Sequence, residues 1–231
     1  MGSHRLPGKV MLPIGDKTML AQVIQRVRSS QLVDQTVVAA SNRPEDEPIW
    51  QWCSDHHIPF VIGDANDVLS RYELAANNFG ASRIVRVTSD CPLIDPTVID
   101  ETIQVLADNE HLDYACNFYP TRTFPRGLDT EVFTRHCLER LSREATSPEY
   151  REHVTLMIYK NPDRFHIGSH LAGTSYADLR WTVDTPEDLD LVRSIYQYFS
   201  SGEFRWQDVV RAYFENPQWR LCNQLIQQKA A

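Results

Sequence analysis

The chain has 231 residues, of which 42% are hydrophobic and 23% are charged, and its net charge is −8. These proportions are close to those of a soluble globular protein, so we expect a domain with a sizeable core. The negative charge argues against a nucleic-acid partner, which would need a broad basic surface, whereas a small anionic ligand needs only a few basic groups. The sequence has no run of about 18 apolar residues and no signal peptide, which predicts a cytoplasmic protein with no membrane contact.

The first half of the chain alternates between helix-forming and strand-forming segments. Leu20, Val23, Ile24 and Val27 recur at helical spacing and predict a helix over residues 16–29. The predicted segments that follow are a strand over 36–41, a helix over 43–58, a strand over 59–63, a helix over 67–80, a strand over 83–90 and a helix over 96–107. This alternation is typical of a parallel sheet that is covered by helices on both faces.

The second half continues the alternation. Its predicted elements are strands over 112–117 and 127–133, helices near 134–145 and 148–160, strands over 164–171 and 179–184, and a helix over 185–199. The whole pattern predicts an α/β fold with a doubly wound, mostly parallel sheet. We expect residues 1–202 to form the domain and residues 203–231 to add a C-terminal helical extension. Residues 117–130 contain two prolines and a glycine, which indicates an arm or an insertion.

The first nine residues, MGSHRLPGK, combine glycines with an arginine and a lysine. They do not form the pattern of P-loop proteins, because five residues separate Gly2 from Gly8 and Val10 follows Lys9. Glycines nevertheless allow backbone N–H groups to approach phosphate oxygens, and Arg5 and Lys9 can neutralise phosphate charge. The alternative is a disordered terminus, since MGSH also begins many purification tags.

Two aspartates stand at the ends of predicted strands. Asp90 comes just before Pro92, and Asp184 comes just before the helix that opens with Pro186. An aspartate in such a place often caps the next helix, and this alternative fits Asp184 better than Asp90. Ligands of open α/β sheets bind outside the carboxyl ends of the strands. Because Mg²⁺ is commonly held by one or two carboxylates and substrate phosphates, Asp90 and Asp184 are candidate ligands of one Mg²⁺ ion.

Several motifs occur in an order that resembles a known family. They are RLPGK at residues 5–9, GDANDVLSRY at 63–72, RVTSDCPLIDP at 86–96, RGLDTEVF at 126–133, REHVT at 151–155 and VDTPEDL at 183–189. The chain resembles the cytidylyltransferases that activate sugar acids, most of all the branch of spore-coat polysaccharide biosynthesis. The 3-deoxy-manno-octulosonate and acylneuraminate cytidylyltransferases are more distant relatives. The resemblance runs from residue 1 to about residue 200 and does not cover the last thirty or so residues.

The resemblance implies a reaction in which a sugar oxygen attacks the α-phosphorus of CTP, forming a CMP-sugar and releasing pyrophosphate. It also implies a Mg²⁺ cofactor and the Rossmann-like sheet of the GT-A-like nucleotidyltransferases. The residues that it assigns to catalysis are Arg5, Lys9, Asp90 and Asp184, of which the two aspartates would hold the metal. The residues that it places at the nucleotide are Gly2, Ser3, Arg5, Lys9, Ser41, Arg71 and Arg86. The residues that it places at the sugar or sugar acid are Asp129, Glu131, Glu152 and His153.

Some of these assignments have alternatives. Arg86 lies in an otherwise apolar predicted strand, where a charge is costly unless it is paired. Either a partner carboxylate or a substrate phosphate is therefore expected beside Arg86. His153 has the alternative of an ordinary polar histidine on a helix. Family members form dimers through an arm, for which residues 118–127 are the candidate here, so a homodimer is expected.

The start of the chain departs from the family pattern. In the family, the loop at Gly2 follows a central first strand that ends in Gln-Ala-Arg, and Thr or Ser is usual at the position of His4. We therefore expect the functional protein to carry an N-terminal extension of roughly eight to twelve residues, about one strand with its turn. The alternative is a shortened relative with little or no activity.

Two other functions remain open. A glycosyltransferase of related architecture would use a D-x-D metal motif, and the sequence offers Asp188-Leu189-Asp190, although inside a predicted helix. A non-catalytic nucleotide-binding protein is the third interpretation.

Overall fold

The computed structural model describes residues 1–3, 5–200, 203–223 and 226. Its strands are β1 (Pro13–Ile14), β2 (Lys17–Thr18), β3 (Val38–Ser41), β4 (Phe60–Gly63), β5 (Arg83–Arg86), β6 (Tyr114–Cys116), β7 (Glu131–Thr134) and β8 (Ile167–Ser169). Its α-helices are α1 (Met19–Arg28), α2 (Glu47–Asp55), α3 (Val68–Phe79), α4 (Pro96–Ala107), α5 (Arg135–Glu144), α6 (Pro148–Glu152), α7 (Leu156–Lys160), α8 (Pro186–Tyr198), α9 (Trp206–Glu215) and α10 (Pro217–Asn223). His4, the expected domain boundary at 201–202 and most of the extension beyond residue 223 lie outside the described residues.

The strands form two main groups. β3 and β4 pair in parallel, from Val38 opposite Phe60 to Ser41 opposite Gly63. The second group has four strands in the order β5-β7-β6-β8. In it, β7 runs antiparallel to both of its neighbours, whereas β6 and β8 are parallel. The predicted α/β class with parallel sheet elements is confirmed.

The helices begin and end where local chemistry favours it. Asp95 caps α4 by accepting a hydrogen bond from the Thr97 N–H at 2.8 Å, and Pro96 follows it in the first turn. Gly80 ends α3 with a φ of 65°, a left-handed conformation that glycine adopts without steric cost. None of the helices among the described residues is long and apolar enough to span a bilayer.

Residues 148–160 form two short helices instead of the single helix predicted. α6 ends at Glu152, and α7 begins at Leu156. Between them Val154 is fully buried, and the Thr155 hydroxyl donates a hydrogen bond to the buried Glu131. The chain therefore turns to bury two consecutive β-branched residues, which a straight helix would place on different faces.

The strand predicted over residues 179–184 is absent from the sheets of the described chain. The Trp181 N–H donates to the Arg126 carbonyl at 2.7 Å, and the Val183 N–H donates to the Asp90 carbonyl at 2.8 Å. Because consecutive donors in this segment reach two different parts of the chain, no continuous ladder forms. The segment is nevertheless extended and held by these two hydrogen bonds, which place Asp184 near the carbonyl of Asp90.

The C-terminal helices share the main hydrophobic core. Trp206, Val209 and Tyr213 of α9 and Trp219 of α10 pack in the same cluster as Val192 of α8. The described part of the expected extension is thus a packed element of the fold. It also reaches polar groups next to Asp184, as shown below.

Candidate active site

The loop that precedes Lys9 is closed by its own hydrogen bonds. The Gly8 N–H donates to the Met1 carbonyl at 3.2 Å, the Lys9 N–H donates to the Leu6 carbonyl at 3.2 Å, and the Leu6 N–H donates to Ser3 Oγ at 3.3 Å. Gly8 has a φ of 69°, which only glycine adopts at little cost. The loop thereby fixes the point from which the Lys9 side chain extends.

Lys9 joins the two aspartates that follow separate parts of the fold. Its Nζ donates to Asp90 Oδ2 at 3.0 Å, to Asp184 Oδ1 at 2.9 Å and to the Val183 carbonyl at 2.7 Å. Burial alone would lower the pKa of Lys9, but the two carboxylates outweigh burial and raise that pKa above its usual 10.5. The lysine is therefore held as a cation between two anions.

Two further cations contact Asp184. Arg5 lies 3.0 Å from Asp184 Oδ2, and Arg180 donates to the same oxygen at 2.8 Å. Burial would raise the pKa of Asp184, but its contacts with Lys9 and Arg180 outweigh burial and hold the pKa below 3.8. Arg5, Lys9 and Arg180 thus converge on one carboxylate.

Arg180 is oriented by a buried network that the sequence did not reveal. Its Nε and Nη2 each lie 3.0 Å from an oxygen of Asp188, which is only 1% exposed. Asp188 also closes the capping box of α8 with Thr185. Asn223, in α10, donates to Asp188 Oδ1 and to the Arg180 carbonyl, both at 2.9 Å. The last described helix therefore supports the arginine that holds Asp184.

These partners bear on the D-x-D alternative. Asp188 is buried and spends both carboxylate oxygens on Arg180, so it cannot serve as an open metal ligand in this arrangement. A signal for Arg180 existed in the sequence, because it is a charged residue in the apolar run LRWTV, like Arg86 in its own strand. Asn223 had no such signal.

Asp90 is held from its own turn and from the segment before Asp184. The Thr88 hydroxyl donates to Asp90 Oδ1 at 2.5 Å. The Asp90 carbonyl accepts the Val183 N–H at 2.8 Å and the Thr182 hydroxyl at 3.3 Å. The backbone thus brings both carboxylates to Lys9, even though the segment before Asp184 is not a regular strand.

The donor set at this point fits a hard cation. Asp90 and Asp184 both lie within 3.0 Å of one ammonium nitrogen, so their oxygens face a common position that a positive charge occupies. Within the described residues, no group of three or more His, Cys, Asp or Glu side chains could hold a metal. A Mg²⁺ ion here would have two protein carboxylates and would complete its six ligands from water or phosphate, which is its ordinary habit in proteins.

Ser41 is linked to the start of the loop, and Arg71 contacts β3. The Ser41 hydroxyl hydrogen-bonds Asp46, whose other oxygen pairs with the terminal ammonium of Met1. Burial would raise the pKa of Asp46, but the Met1 ammonium and the Ser41 hydroxyl hold it below 3.8. Arg71 donates to the Ala39 carbonyl at 3.1 Å. Gly2, the remaining residue expected at the nucleotide, is exposed.

Arg86 and Glu131 form an ion pair in which Glu131 is buried and Arg86 is partly exposed. Glu131 is 2% exposed and also accepts hydrogen bonds from the Tyr114 and Thr155 hydroxyls. Burial would lower the pKa of Arg86, but Glu131 outweighs burial and raises that pKa above its usual value. Of the two alternatives for Arg86, the geometry favours the partner carboxylate. The same pairing leaves Glu131 turned toward protein groups instead of the sugar for which it was predicted.

The other residues expected at the sugar are spread out. Asp129 pairs with Arg122, whose Nη2 lies 2.9 Å from Asp129 Oδ2. Glu152 is exposed at the end of α6, and His153 is the residue that follows it. Asp129 lies in the segment 117–130, which packs against the rest of the chain through Phe124, a residue only 1% exposed in the main core. The sugar-side assignments remain predictions.

Comparison with known protein families matches a model described as "Cytidylyltransferase" to residues 1–207. Among curated proteins, the uncharacterized protein MJ1063 of Methanocaldococcus jannaschii is 32% identical over 232 residues, covering 99% of this chain and 93% of that protein. The spore coat polysaccharide biosynthesis protein SpsF of Bacillus subtilis is 31% identical over 204 residues, covering 85% of this chain and 83% of that protein.

Solved structures give the same result for the fold. A cytidylyltransferase from Leptospira borgpetersenii superposes with a TM-score of 0.91 at 32% identity, covering 100% of this chain and 95% of that one. A CMP:2-keto-3-deoxy-manno-octonic acid synthetase complexed with CTP superposes with a TM-score of 0.65 at 20% identity, covering 85% and 95% of the two chains. The predicted nucleotidyltransferase type of the α/β fold is thereby confirmed.

Proposed function

The chain belongs to the cytidylyltransferase family and is therefore a nucleotidyltransferase, and we propose that it transfers CMP from CTP to a sugar or sugar acid with release of pyrophosphate. The observation that carries this proposal is the convergence of Arg5, Lys9, Asp90 and Asp184 at one point. Phosphoryl-type transfers depend mainly on positioning and charge neutralisation, which such a cluster supplies.

The cations that pair with Asp184 in this cluster can pair with the phosphate oxygens of a ligand instead. Arg5 and Lys9 both lie on Asp184, so a triphosphate bound beside the loop meets two cations that are already held in place. Holding these side chains before the ligand arrives reduces the entropy lost on binding. Ser3 fixes the loop through the Leu6 N–H, which keeps Arg5 and Lys9 at a set spacing.

The proposed reaction is a substitution at the α-phosphorus of CTP. The oxygen of a sugar hydroxyl forms a bond to the α-phosphorus, the bond from that phosphorus to the bridging oxygen breaks, and pyrophosphate leaves with the bonding electrons. The hydroxyl proton passes to solvent. Arg5 and Lys9 bind the phosphate oxygens on which negative charge builds up, and Arg180 keeps Asp184 in position while this happens.

We propose Mg²⁺ as the cofactor, with Asp90 and Asp184 as its protein ligands. When bound there, the ion would neutralise phosphate charge and polarise the reacting phosphorus. The carboxylates that now hold the Lys9 ammonium would then share their negative charge between two cations. Thr88 on Asp90 and Arg180 on Asp184 would keep the two carboxylates aimed at the same place.

The relatives suggest the class of acceptor. SpsF is named for spore coat polysaccharide biosynthesis, and a 3-deoxy-manno-octulosonate cytidylyltransferase of Geobacter sulfurreducens is 35% identical over 109 residues, covering 46% of this chain and 42% of that protein. We propose a sugar acid or a related sugar that enters a surface polysaccharide. We also propose that the enzyme works in the cytoplasm as a homodimer.

A direct test measures pyrophosphate release from CTP with a panel of sugar acids and sugars, in Mg²⁺ and in EDTA. We expect turnover with CTP and Mg²⁺ and none in EDTA. Asp90→Asn and Asp184→Asn should each lower kcat by about 100-fold or more, the usual loss when a preorganised charge is removed. Asp190→Asn is the matched control, because Asp190 is 71% exposed and should retain full activity.

The phosphate role of Lys9 has its own test. Lys9→Ala should weaken binding of CTP far more than binding of cytidine, because cytidine lacks the phosphates. Equal losses for both ligands would place Lys9 away from the phosphates. Full turnover of either aspartate variant, or turnover in EDTA, would contradict the metal assignment.

A further inference from the structure

The backbone of Arg126 is fixed beside Arg180. The Arg126 N–H donates to the Leu179 carbonyl at 2.9 Å, and the Arg126 carbonyl accepts the Trp181 N–H at 2.7 Å. Arg126 and Arg180 are thereby neighbours across an isolated parallel bridge. Since Arg180 donates to Asp184, Arg126 is held next to the side chain that orients one of the two site aspartates.

Arg126 differs from the other cations of this region because it has no ion pair. Among the described residues, no carboxylate pairs with the Arg126 guanidinium, and its side chain donates no hydrogen bond. The cations here that do have a carboxylate partner are Arg5, Lys9, Arg122 and Arg180. The Arg126 charge therefore lies at the site without a paired anion.

The surroundings of Arg126 favour a bound anion. Burial lowers the pKa of Arg126, and the nearby charges of Arg122 and Arg180 lower it further, while Asp129 offsets only part of this effect. A guanidinium stays charged in a protein, so Arg126 is a cation kept close to two others. An anion beside Arg126 would relieve their repulsion and would find a planar group with free N–H donors for a bidentate contact.

We call the group of Arg5, Lys9, Asp90 and Asp184 the Lys9 cluster, and Arg126 borders it from the segment 117–130. Burial raises the pKa of the Cys91 thiol, and the charges of Asp90 and Asp129 raise it further. Because the effect of a charge fades with distance, both carboxylates lie near this one thiol. Asp129 and Arg180 also act on Arg126, which therefore approaches the cluster from two directions.

We propose that Arg126 binds an anionic group of the acceptor, a carboxylate or a phosphate, and so selects a charged acceptor over a neutral sugar; this rests on the proposed transferase function. Arg5 and Lys9 extend from the loop assigned to the nucleotide, whereas Arg126 belongs to another segment and is available to the second substrate. A negatively charged acceptor is repelled by a bound triphosphate. A cation held beside the cluster offsets that repulsion.

The fold holds Arg126 in place without gaining an ion pair from it. Its neighbour Gly127 has a φ of 103°, and a Cβ there would lie 2.7 Å from the Trp181 backbone carbon. Costly local arrangements of this kind are concentrated at functional sites, where a ligand supplies the missing contact. We therefore expect Arg126→Gln to leave the Tm unchanged or to raise it, since the variant removes a repelled charge. A lower Tm would indicate a structural role and would overturn the proposal.

The first experiment labels arginine side chains with phenylglyoxal and maps the modified residues by mass spectrometry. Arg126 is partly exposed and can react. Labelling is done at constant ionic strength with mannose, mannuronate or mannose 6-phosphate, which share one ring and differ in whether the last carbon carries a hydroxyl, a carboxylate or a phosphate. Arg28 is the internal control, because it is exposed at the end of α1 and should react equally in every sample.

At saturation, at least one of the two anions should slow labelling of Arg126 by about 10-fold, as mass action requires for an occupied site, and mannose should not. The anion that protects more strongly distinguishes a carboxylate site from a phosphate site. Equal labelling of Arg126 with all three sugars would overturn the proposal. Protection by CTP without any sugar would also overturn it, because Arg126 would then belong to the nucleotide.

The second experiment measures pyrophosphate release by the wild type, Arg126→Gln and Arg126→Lys. Arg126→Gln should raise the KM of the acceptor by about 10-fold to 100-fold, the loss expected for a charge-assisted hydrogen bond, and leave the KM of CTP unchanged. Arg126→Lys keeps the charge and should restore part of the affinity. Arg28→Gln is the matched control, since it removes the same charge from an exposed position.

A lower kcat for Arg126→Gln with both KM values unchanged would overturn the proposal, because Arg126 would then act only through Arg180. The labelling experiment does not involve turnover. Anion protection of Arg126 without pyrophosphate release would retain the anion site and contradict the transferase function. Turnover with neither protection nor a change in the KM of the acceptor would do the reverse.

Discussion

Replacing Lys9 by methionine removes a cation that both aspartates contact while nearly preserving side-chain volume. The variant loses three hydrogen bonds from the ammonium, to Asp90, Asp184 and the Val183 carbonyl. It also leaves two carboxylates facing each other. Breaking a fully buried pair costs about 3–5 kcal/mol. These side chains are 14–26% exposed, so solvent reduces the loss, and we expect about 2–3 kcal/mol, or roughly 5–10 °C in Tm.

The pH dependence of this loss follows from the shifted pKa values. Asp184 has a lowered pKa in the folded state, so its contribution is present above its unfolded value near 3.8 and disappears as the pH falls through the folded pKa. Lys9 has a raised pKa, so its contribution is complete below 10.5 and disappears as the pH rises through the folded pKa. The difference between wild type and Lys9→Met should therefore be constant from about pH 5 to pH 9 and shrink outside that window.

Urea unfolding at several pH values measures this difference directly. Lys17→Met is the matched control, because Lys17 is 42% exposed and lies 3.8 Å from Asp16, a contact worth about 0–1 kcal/mol. Mg²⁺ should stabilise Lys9→Met more than it stabilises the wild type, since the two carboxylates then have no competing ammonium. Equal unfolding free energies for Lys9→Met and wild type at pH 7 would refute the interpretation that Lys9 holds the two aspartates together.

Three further outcomes are expected. Gly127→Ala should destabilise the fold by about 2 kcal/mol or more in thermal unfolding. Gly127 has a φ of 103°, and a Cβ there would lie 2.7 Å from the Trp181 backbone carbon. Gly15→Ala is the control, because Gly15 has a φ of 65° but a Cβ there would lie in open space. Asn223→Leu should cost about 1–3 kcal/mol in urea unfolding, because Asp188 and the Arg180 carbonyl lose a buried donor. Light scattering at micromolar concentration should give a dimer, and a monomer would remove the role proposed for residues 118–127.

The sequence predicted best those elements that carry their own end signals. Helix α4 was predicted with its observed bounds because Asp95 and Pro96 mark its start, and Gly80 likewise marked the end of α3. The prediction of a single helix over residues 148–160 was wrong, because the burial of Val154 and Thr155 depends on the distant Glu131. A local pattern cannot show where a hydroxyl will find its acceptor.

The candidate site, like the fold, could be predicted from the sequence only in part. Asp90 and Asp184 stood out because each ends an apolar run, and the structure does bring them together. Their direct contact with Lys9 was not foreseen, since it depends on where two distant backbone segments meet. The sugar role expected for Glu131 stays a prediction, and its ion pair with Arg86 was not foreseen, because a carboxylate in a family motif gives no sign of whether it faces a ligand or an arginine.

The Lys9 cluster joins residues that are far apart along the chain, and this has a consequence for the order of folding. Lys9 is 81 residues from Asp90 and 175 from Asp184, while Asn223 lies 43 residues beyond Arg180. Closing such long loops costs entropy that only the finished core repays, so contacts of this kind form late. Local pairs such as β3 with β4 can form on a partly folded chain, but the cations on Asp184 cannot be set in place before α8 and α10 dock. Refolding protein should therefore regain helical signal first and nucleotide affinity last.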